Sequence, residues 1–214
     1  MFSKSITIVT PFYNEEESLE NFFKVLKNIN TMIGKKIETK YLFIDDGSTD
    51  LTKEKLVEFE KNNPELNIKL YFHEKNFGYG RTLKNSIELS DTDYLLTYDA
   101  DCTYNFNHIE TLINKIMSEN QDIINISYKL SKKKMQLNLF RRILSWGGSA
   151  IYKFIFPEVR NYDIKVFTCS FRVYDLKKIK KINIISDDYN STAELMIKAM
   201  KQKLKIIEIP GENI

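Results

Sequence analysis

Apolar and polar positions along the first 128 residues fall into blocks whose period switches between that of a strand and that of a helix. Residues 5–10 form a β-branched run, after which Leu19, Phe22, Phe23, Leu26 and Ile29 recur at steps of three and four. A strand followed by an amphipathic helix is predicted. The pair repeats as strand 40–45 with helix 51–62, closed by Pro64, and as strand 68–73 with helix 79–89. Strand 93–98 precedes a helix marked by Ile109, Leu112, Ile113, Ile116 and Met117, and strand 122–128 follows. Such alternation predicts an α/β fold with a mostly parallel central sheet and helices on both faces. No internal repeat or low-complexity segment interrupts it. Residues 1–214 are predicted to form a single domain. Its character changes near 129, where Lys132-Lys133-Lys134 opens a basic, then aromatic, stretch.

Three of the strands run directly into polar turns. Pro11 is followed by Tyr13-Asn14-Glu15-Glu16, the second strand by Asp45-Asp46-Gly47-Ser48-Thr49-Asp50, and the fourth by Asp99-Ala100-Asp101. Ligands of open parallel sheets bind outside the carboxyl ends of the strands, which predicts Tyr13, Asp46 and Asp99 around one crevice. Asp99 and Asp101, read as the end of a strand, would point to the same side. Two carboxylates so placed repel unless a cation lies between them. A hard divalent ion that draws its other ligands from substrate phosphates suits them, although an Asp-x-Asp by itself is more often a solvated loop. Asn76-Phe77-Gly78-Tyr79-Gly80 offers glycines for a sharp turn or a close approach to a ligand. It lacks the Gly-Lys-Ser/Thr of a P-loop and the spacing of a dinucleotide fingerprint. Arg81 either reaches a diphosphate or lies on a solvated helix face.

Composition narrows the class. A 43% hydrophobic content supports a substantial core, while 4 prolines and 7 glycines argue against long linkers. The formal charge of +3 argues against a general nucleic-acid surface. Two cysteines, Cys102 and Cys169, make no disulfide framework, so a reducing, cytoplasmic location is expected. The amino terminus shows no signal-peptide pattern, and no apolar run reaches the length of a membrane span. The chain is expected to be soluble or peripheral.

Taken in order, TPFYNEEESL (10–19), IDDGSTD (44–50), NFGYGRTLKNSI (76–87) and DAD (99–101) resemble the inverting family 2 glycosyltransferases of GT-A fold. The resemblance implies a GT-A-like, Rossmann-like domain whose residues 1–128 bind a nucleotide sugar and whose residues 129–214 bind an acceptor. Pro11 would turn the backbone so that Tyr13 and Glu15 flank the base and ribose. Asp46 would accept from the base, with Asp45 capping the turn. Asn76, Gly78, Asp99, Ala100 and Asp101 would complete the nucleotide-sugar site. Asp99, Asp101 and Thr103 would hold Mg2+ or Mn2+, with Asp101 central to catalysis.

The second half resembles dolichyl- and polyprenyl-phosphate sugar synthases through NLFRRILSWGG (138–148), TCSFRVYDLKKI (168–179) and STAELMIKAMKQKLKIIEIP (191–210). By that resemblance Arg142 and Ser145 would hold the acceptor phosphate, with Lys129, Arg172 and Glu194 also on the acceptor side. An arginine suits phosphate through bidentate, charge-assisted hydrogen bonds. This chain departs from the pattern at several positions. Tyr128 replaces an arginine next to Lys129, Val166 an aspartate, Cys169 a glycine, and Thr103 a glutamine or serine. Ile214 comes before the basic segment that usually follows the Ile-Pro strand.

The expected reaction is metal-dependent transfer of a sugar from a nucleoside diphosphate to a polyprenyl phosphate. The alternative is a soluble family 2 enzyme acting on a sugar or protein hydroxyl, which needs a carboxylate base, here Asp187 or Asp188. A sugar-1-phosphate nucleotidyltransferase and a noncatalytic subunit are further alternatives. Residues 132–156 combine Lys132–Lys134, Arg141 and Arg142 with Leu, Ile, Phe and Trp146. That pattern fits three readings: a peripheral helix on the cytoplasmic face of a membrane, a helix packed over the sheet, and a dimer interface; a membrane-anchoring partner subunit is a separate expectation.

Overall fold

The structure is a computed structural model that describes residues 4–127, 130 and 151–211. The predicted alternation is present. Strand β1 (Ser5–Phe12) leads to α1 (Leu19–Ile33), β2 (Glu38–Asp45) to α2 (Thr52–Asn62), and β3 (Ile68–Phe72) to α3 (Tyr79–Leu89). Strand β4 (Tyr94–Thr97) leads to α4 (Asn107–Ser118), and β5 (Ile123–Ser127) follows. A short 3-10 turn at Pro157–Asn161 precedes β6 (Arg172–Asp175), α5 (Leu176–Ile179), α6 (Ser191–Lys201) and β7 (Ile206–Pro210).

The seven strands lie in the order β3-β2-β1-β4-β6-β5-β7. All pairs are parallel except those of β6, which runs antiparallel to both β4 and β5. The carboxyl ends of β1, β2 and β4 therefore meet at one edge, where the amino end of β6 joins them.

The central strands read as nearly unbroken apolar runs because both faces of the sheet are covered. Tyr41 and Phe43 of β2 belong to the core on one face, with Leu26 and Ile29 of α1, Leu56 of α2, and Ile109 and Ile113 of α4. Leu42 and Ile44 turn to the other face, against Leu83 of α3, Ile179 of α5 and Met196 of α6. Each face thus takes alternate residues of the same strand.

A guanidinium lies fully inside this framework. Arg172 has no solvent exposure. Its Nε donates to Asn125 Oδ1 at 2.7 Å, its Nη1 to the Thr192 carbonyl at 2.9 Å and its Nη2 to the Phe167 carbonyl at 2.6 Å. Asn125 in turn donates to the Val166 carbonyl at 2.9 Å and to Glu208 Oε1 at 2.8 Å. Replacing Arg172 with leucine leaves three buried acceptors without a donor, and breaking such a network typically costs about 3–5 kcal/mol. Urea denaturation of Arg172→Leu should show a loss of that size, and a loss below about 1 kcal/mol would mean the guanidinium is not a structural tie.

Candidate functional site

The first wall of the site is a pair of laced turns. Strands β1 and β2 end side by side, with Phe12 opposite Asp45. Beyond them the Asn14 amide donates to Ser48 Oγ at 2.9 Å, and Thr49 donates back to Asn14 Oδ1 at 2.8 Å. Asn14 takes a φ of 54°, a left-handed conformation that asparagine tolerates. The Glu15 amide meets Thr52 Oγ1 at 2.8 Å, and the Glu16 amide meets Asp50 Oδ2 at 3.1 Å. Tyr13 rides on this braced turn with its side chain 46% exposed. Pro11 lies just past the end of β4, whose pairing with β1 stops at Val9 and whose next residue, Tyr98, donates to the Val9 carbonyl. No strand needs an N–H from Pro11 there.

The two aspartates after β2 do different work. Asp45 is buried and accepts from the Ser48 hydroxyl and amide, a cap on the turn, and burial pushes its carboxyl upward. Asp46 accepts from His73 Nδ1 at 2.5 Å, the Phe77 amide at 2.9 Å and the Gly78 amide at 2.8 Å. Asn85 of α3 meets the other ring nitrogen of His73 at 3.0 Å. Asp46 is therefore a bracket for the loop before α3, and its carboxylate is largely committed. Sequence reasoning missed His73. The partner that gives it a role lies 27 residues away. Asn76 is exposed on the same loop.

The second wall is the turn after β4. The strand stops at Thr97, and the Cys102 amide closes a turn on the Asp99 carbonyl at 3.2 Å with Cys102 at φ 52°. The strand alternation invoked for Asp99 and Asp101 does not operate; a turn presents them instead. Asp99 accepts from the hydroxyl of buried Ser170. Asp101 is exposed and accepts from the Thr103 amide at 2.9 Å and hydroxyl at 2.7 Å, while Ala100 is buried between the two carboxylates. Thr103 thus steadies Asp101. Burial pushes the Asp99 carboxyl up to about 6 against the Ser170 hydrogen bond, and the charges of Asp101 and Glu15 add to the rise. Asp99 is half-buried. Ser170, used in the sequence only as part of a strand signature, is the side chain that orients Asp99.

These carboxylates fit a hard divalent cation in a particular way. Among the described residues no group of three or more His, Cys, Asp or Glu is placed to hold a metal without help. Asp99 and Asp101, with Glu15 in electrostatic reach, supply uncompensated negative charge and only part of a coordination shell. That donor set suits an ion completed by water and ligand phosphates.

The third wall is the loop 185–190, drawn down onto the start of α3. The Asp187 carbonyl accepts from the Gly80 amide at 2.7 Å. Gly78 has φ 93°, and a Cβ there would come within 2.5 Å of that same carbonyl oxygen; one at Gly80 would come closer still to the Ser186 carbonyl. The glycines thus admit this loop. Arg81 makes a two-pronged pair with Asp187 at 3.0 and 3.2 Å, joined by Lys84 at 2.5 Å. The hydrogen bonds from Arg81 and Lys84 hold the Asp187 carboxyl down at about 2. So paired, Asp187 anchors the loop to the start of α3. Asp188 is exposed and accepts from the Asn190 amide and side chain.

Two residues placed on the acceptor side have other partners. Arg172 is spent in the core, as above. Glu194 accepts from the Ile185 and Ser186 amides, both at 2.8 Å, and from Lys198 at 2.6 Å. Burial alone would raise its carboxyl, yet Lys198 and the two amides outweigh burial and pull it down to about 2. Lys129, Arg142 and Ser145 lie outside the described residues, as does most of the 132–156 stretch. Residues 151–155 are helical, with Ile151, Ile155 and, at 80%, Phe154 exposed. No helix among the described residues is long and apolar enough to cross a membrane. A hollow of about 220 Å³, lined by Thr7, Lys40, Tyr41 and Asp91, lies toward the amino ends of β1 and β2, away from these walls.

Comparison with known proteins gives the family and the fold. The family described as Glycosyl transferase family 2 matches residues 7–183. The chain belongs to that family. It is 25% identical to a dolichyl-phosphate beta-glucosyltransferase of Dictyostelium discoideum over 95% of this chain, and it spans 64% of that enzyme. It is 27% identical to a UDP-N-acetylglucosamine–dolichyl-phosphate N-acetylglucosaminyltransferase of Methanococcus voltae, covering 100% of this chain and 87% of that one. Among solved structures, glucosyl-3-phosphoglycerate synthase of Mycobacterium tuberculosis, in complex with Mn2+, UDP and glucosyl-3-phosphoglycerate, superposes with a TM-score of 0.73. That match has 13% identity and covers 99% of this chain and 72% of the other, so it speaks to the fold.

The anchoring of the 185–190 loop has a pH signature. Glu194 is depressed on folding, so its stabilisation is fully present above its unfolded value, near 4.5, and is lost as pH falls toward 2. At neutral pH it contributes about 2–3 kcal/mol. Glu194→Gln should therefore be less stable than the parent at pH 7 and converge with it near pH 2. Urea melts across that range check this, and parallel curves would remove Glu194 as the anchor.

Proposed function

We propose that this member of glycosyl transferase family 2 transfers one sugar, with inversion, from a nucleoside diphosphate to a polyprenyl phosphate, with Asp99 and Asp101 holding Mg2+ or Mn2+. The observation that carries the reading is the meeting of Tyr13, Glu15, Asp99 and Asp101 at one edge of the sheet. Asp99 there feels the charges of both Asp101 and Glu15, a deficit that a cation bound with a diphosphate would relieve. In the reaction an acceptor phosphate oxygen attacks the anomeric carbon. The bond from that carbon to the diphosphate breaks, and its electron pair leaves with the nucleoside diphosphate. The cation, when bound, neutralises the charge that develops on the leaving group.

Chain residues would do the positioning. Tyr13 and Glu15, on the braced turn, would flank the base and ribose, and the open acceptor capacity of Asp46 would face the base. Ser170 and Thr103 hold Asp99 and Asp101 in place before ligand arrives, which lowers the ordering cost at the reacting centre. The state of the loop carboxylates favours an acceptor that is already an anion. Of the two candidate bases, Asp187 is held by Arg81 and Lys84, so a hydroxyl acceptor would have to rely on Asp188 alone. Relatives named for dolichyl phosphate support the same choice, as do exposed Ile151, Phe154 and Ile155 beside the basic stretch for a lipid-bound acceptor.

Asp101→Asn should lose metal-dependent nucleotide binding and turnover while keeping the parent melting temperature. With polyprenyl phosphate and a panel of nucleoside-diphosphate sugars, Asp188→Asn should leave turnover within about a factor of ten, the lower range of general-base effects being about a hundredfold. Undiminished activity of Asp101→Asn, or activity unaffected by EDTA, overturns the metal mechanism. Collapse of turnover in Asp188→Asn moves the acceptor to a hydroxyl.

A further inference from the structure

Loop 185–190 carries an aromatic ring to the site that none of the motifs accounts for. Tyr189 is 49% exposed, and an exposed tyrosine is ordinary in itself. Its mounting is not. On one side Asp188 is folded into a turn with Asn190, and on the other the Tyr189 carbonyl accepts from the Thr192 hydroxyl at 2.8 Å and amide at 3.3 Å. The Thr192 carbonyl is one of the three acceptors of buried Arg172. The backbone beneath Tyr189 is thereby tied into the core, while Asp187 and Glu194 pin the loop before it.

The ring has a backing. Its centroid lies 5.1 Å from that of Tyr79, at 57°, and Tyr79 is the first residue of α3. Both phenols lie within electrostatic reach of Asp99. A half-exposed aromatic ring, backed by Tyr79, therefore stands within electrostatic reach of Asp99, which in the proposed donor site lies at the reacting end. A pyranose ring offers polarised C–H groups to the negative face of an aromatic ring. In a nucleotide sugar, the group bonded directly beyond the diphosphate is that ring. An acceptor is joined to nothing at Asp99 before the reaction.

We propose that Tyr189, backed by Tyr79, is the platform on which the hexosyl ring of the donor packs, a contact that determines specificity for the sugar and not for the nucleotide. The inference rests on the donor site proposed above. Truncating the ring costs the sugar contact alone, whereas phenylalanine keeps the face. The same geometry predicts that discrimination among hexoses depends on Tyr189 while the base and diphosphate are held elsewhere.

The test is calorimetric titration, with Mn2+, of UDP, UDP-glucose, GDP and GDP-mannose into the parent, Tyr189→Ala and Tyr189→Phe. For the nucleotide the parent binds, Tyr189→Ala should shift the ratio of sugar-nucleotide to bare-nucleotide Kd against the sugar by about 3- to 10-fold, the size of one aromatic contact. Bare-nucleotide affinity should stay within about twofold, and Tyr189→Phe should keep the parent ratio to the same margin. An unchanged ratio in Tyr189→Ala overturns the platform, as does an equal loss of bare-nucleotide affinity. An effect confined to the KM of the acceptor also overturns it and moves Tyr189 to the other substrate. If the parent binds none of the four, the donor site itself fails, and the platform falls with it.

Discussion

A guanidinium cannot shed its charge, so burying Arg172 without solvent contact obliges the protein to surround it with acceptors. Those acceptors come from β5, from the segment before β6 and from the first turn of α6. Asn125 extends the tie to Glu208 on β7. The antiparallel strand that begins at Arg172 is thereby fixed in depth and register between two parallel strands. Ser170, two residues earlier, then falls where its hydroxyl meets Asp99. Thr192, on the opposite side of the same guanidinium, fixes where α6 begins and where the loop before it must lie. Both Asp99 and the loop wall hang from one buried cation.

How that loop stays down can be decided by magnitudes. The Arg81–Asp187 pair is nearly half exposed at both ends, and exposed ion pairs contribute only about 0–1 kcal/mol. The pair orients the loop more than it retains it. Retention falls to the Gly80 amide on the Asp187 carbonyl, to the two amides on Glu194 and to the close approach allowed by Gly78 and Gly80. Each of these is a short-range interaction that salt does not screen strongly. The glycine-rich stretch is thus explained by a contact between two loops distant in sequence.

Sequence patterning made the strands and helices legible because both faces of the sheet are covered, and alternate residues of each strand feed separate cores. Helix α3 lies at 79–89 as the pattern predicts, with Leu83 and Ile87 on its buried face. The location of the polar turns was legible for the same reason, since they sit where apolar runs stop. Side-chain direction was not. Asp99 and Asp101 were placed by strand alternation, yet the chain leaves strand geometry at Thr97 and turns. Arg172 and Glu194 are polar residues in a recognisable motif, and nothing local distinguishes a side chain aimed at ligand from one aimed inward. Partners 20 residues away for Arg172 with Thr192, and 47 away for Arg172 with Asn125, settle the matter only after folding.

The start of α3 joins the two ends of the proposed donor site. Asp46, at the base end, holds the amides of Phe77 and Gly78. Gly80 and Arg81, next along, hold the loop that carries Tyr189. A carboxylate has roughly four acceptor positions, and three at Asp46 are filled from within the protein, counting His73. Any ligand N–H that takes the remaining position is bound by a group whose orientation the loop already fixes. A shift at the base end would therefore be transmitted along residues 77–81 to the sugar end, because the intervening backbone is bonded at both sides. In the proposed donor site, nucleotide and sugar would then be read by one unit, so a change that loosens residues 77–81 should degrade both together, whereas a change at Tyr189 acts past the end of that unit.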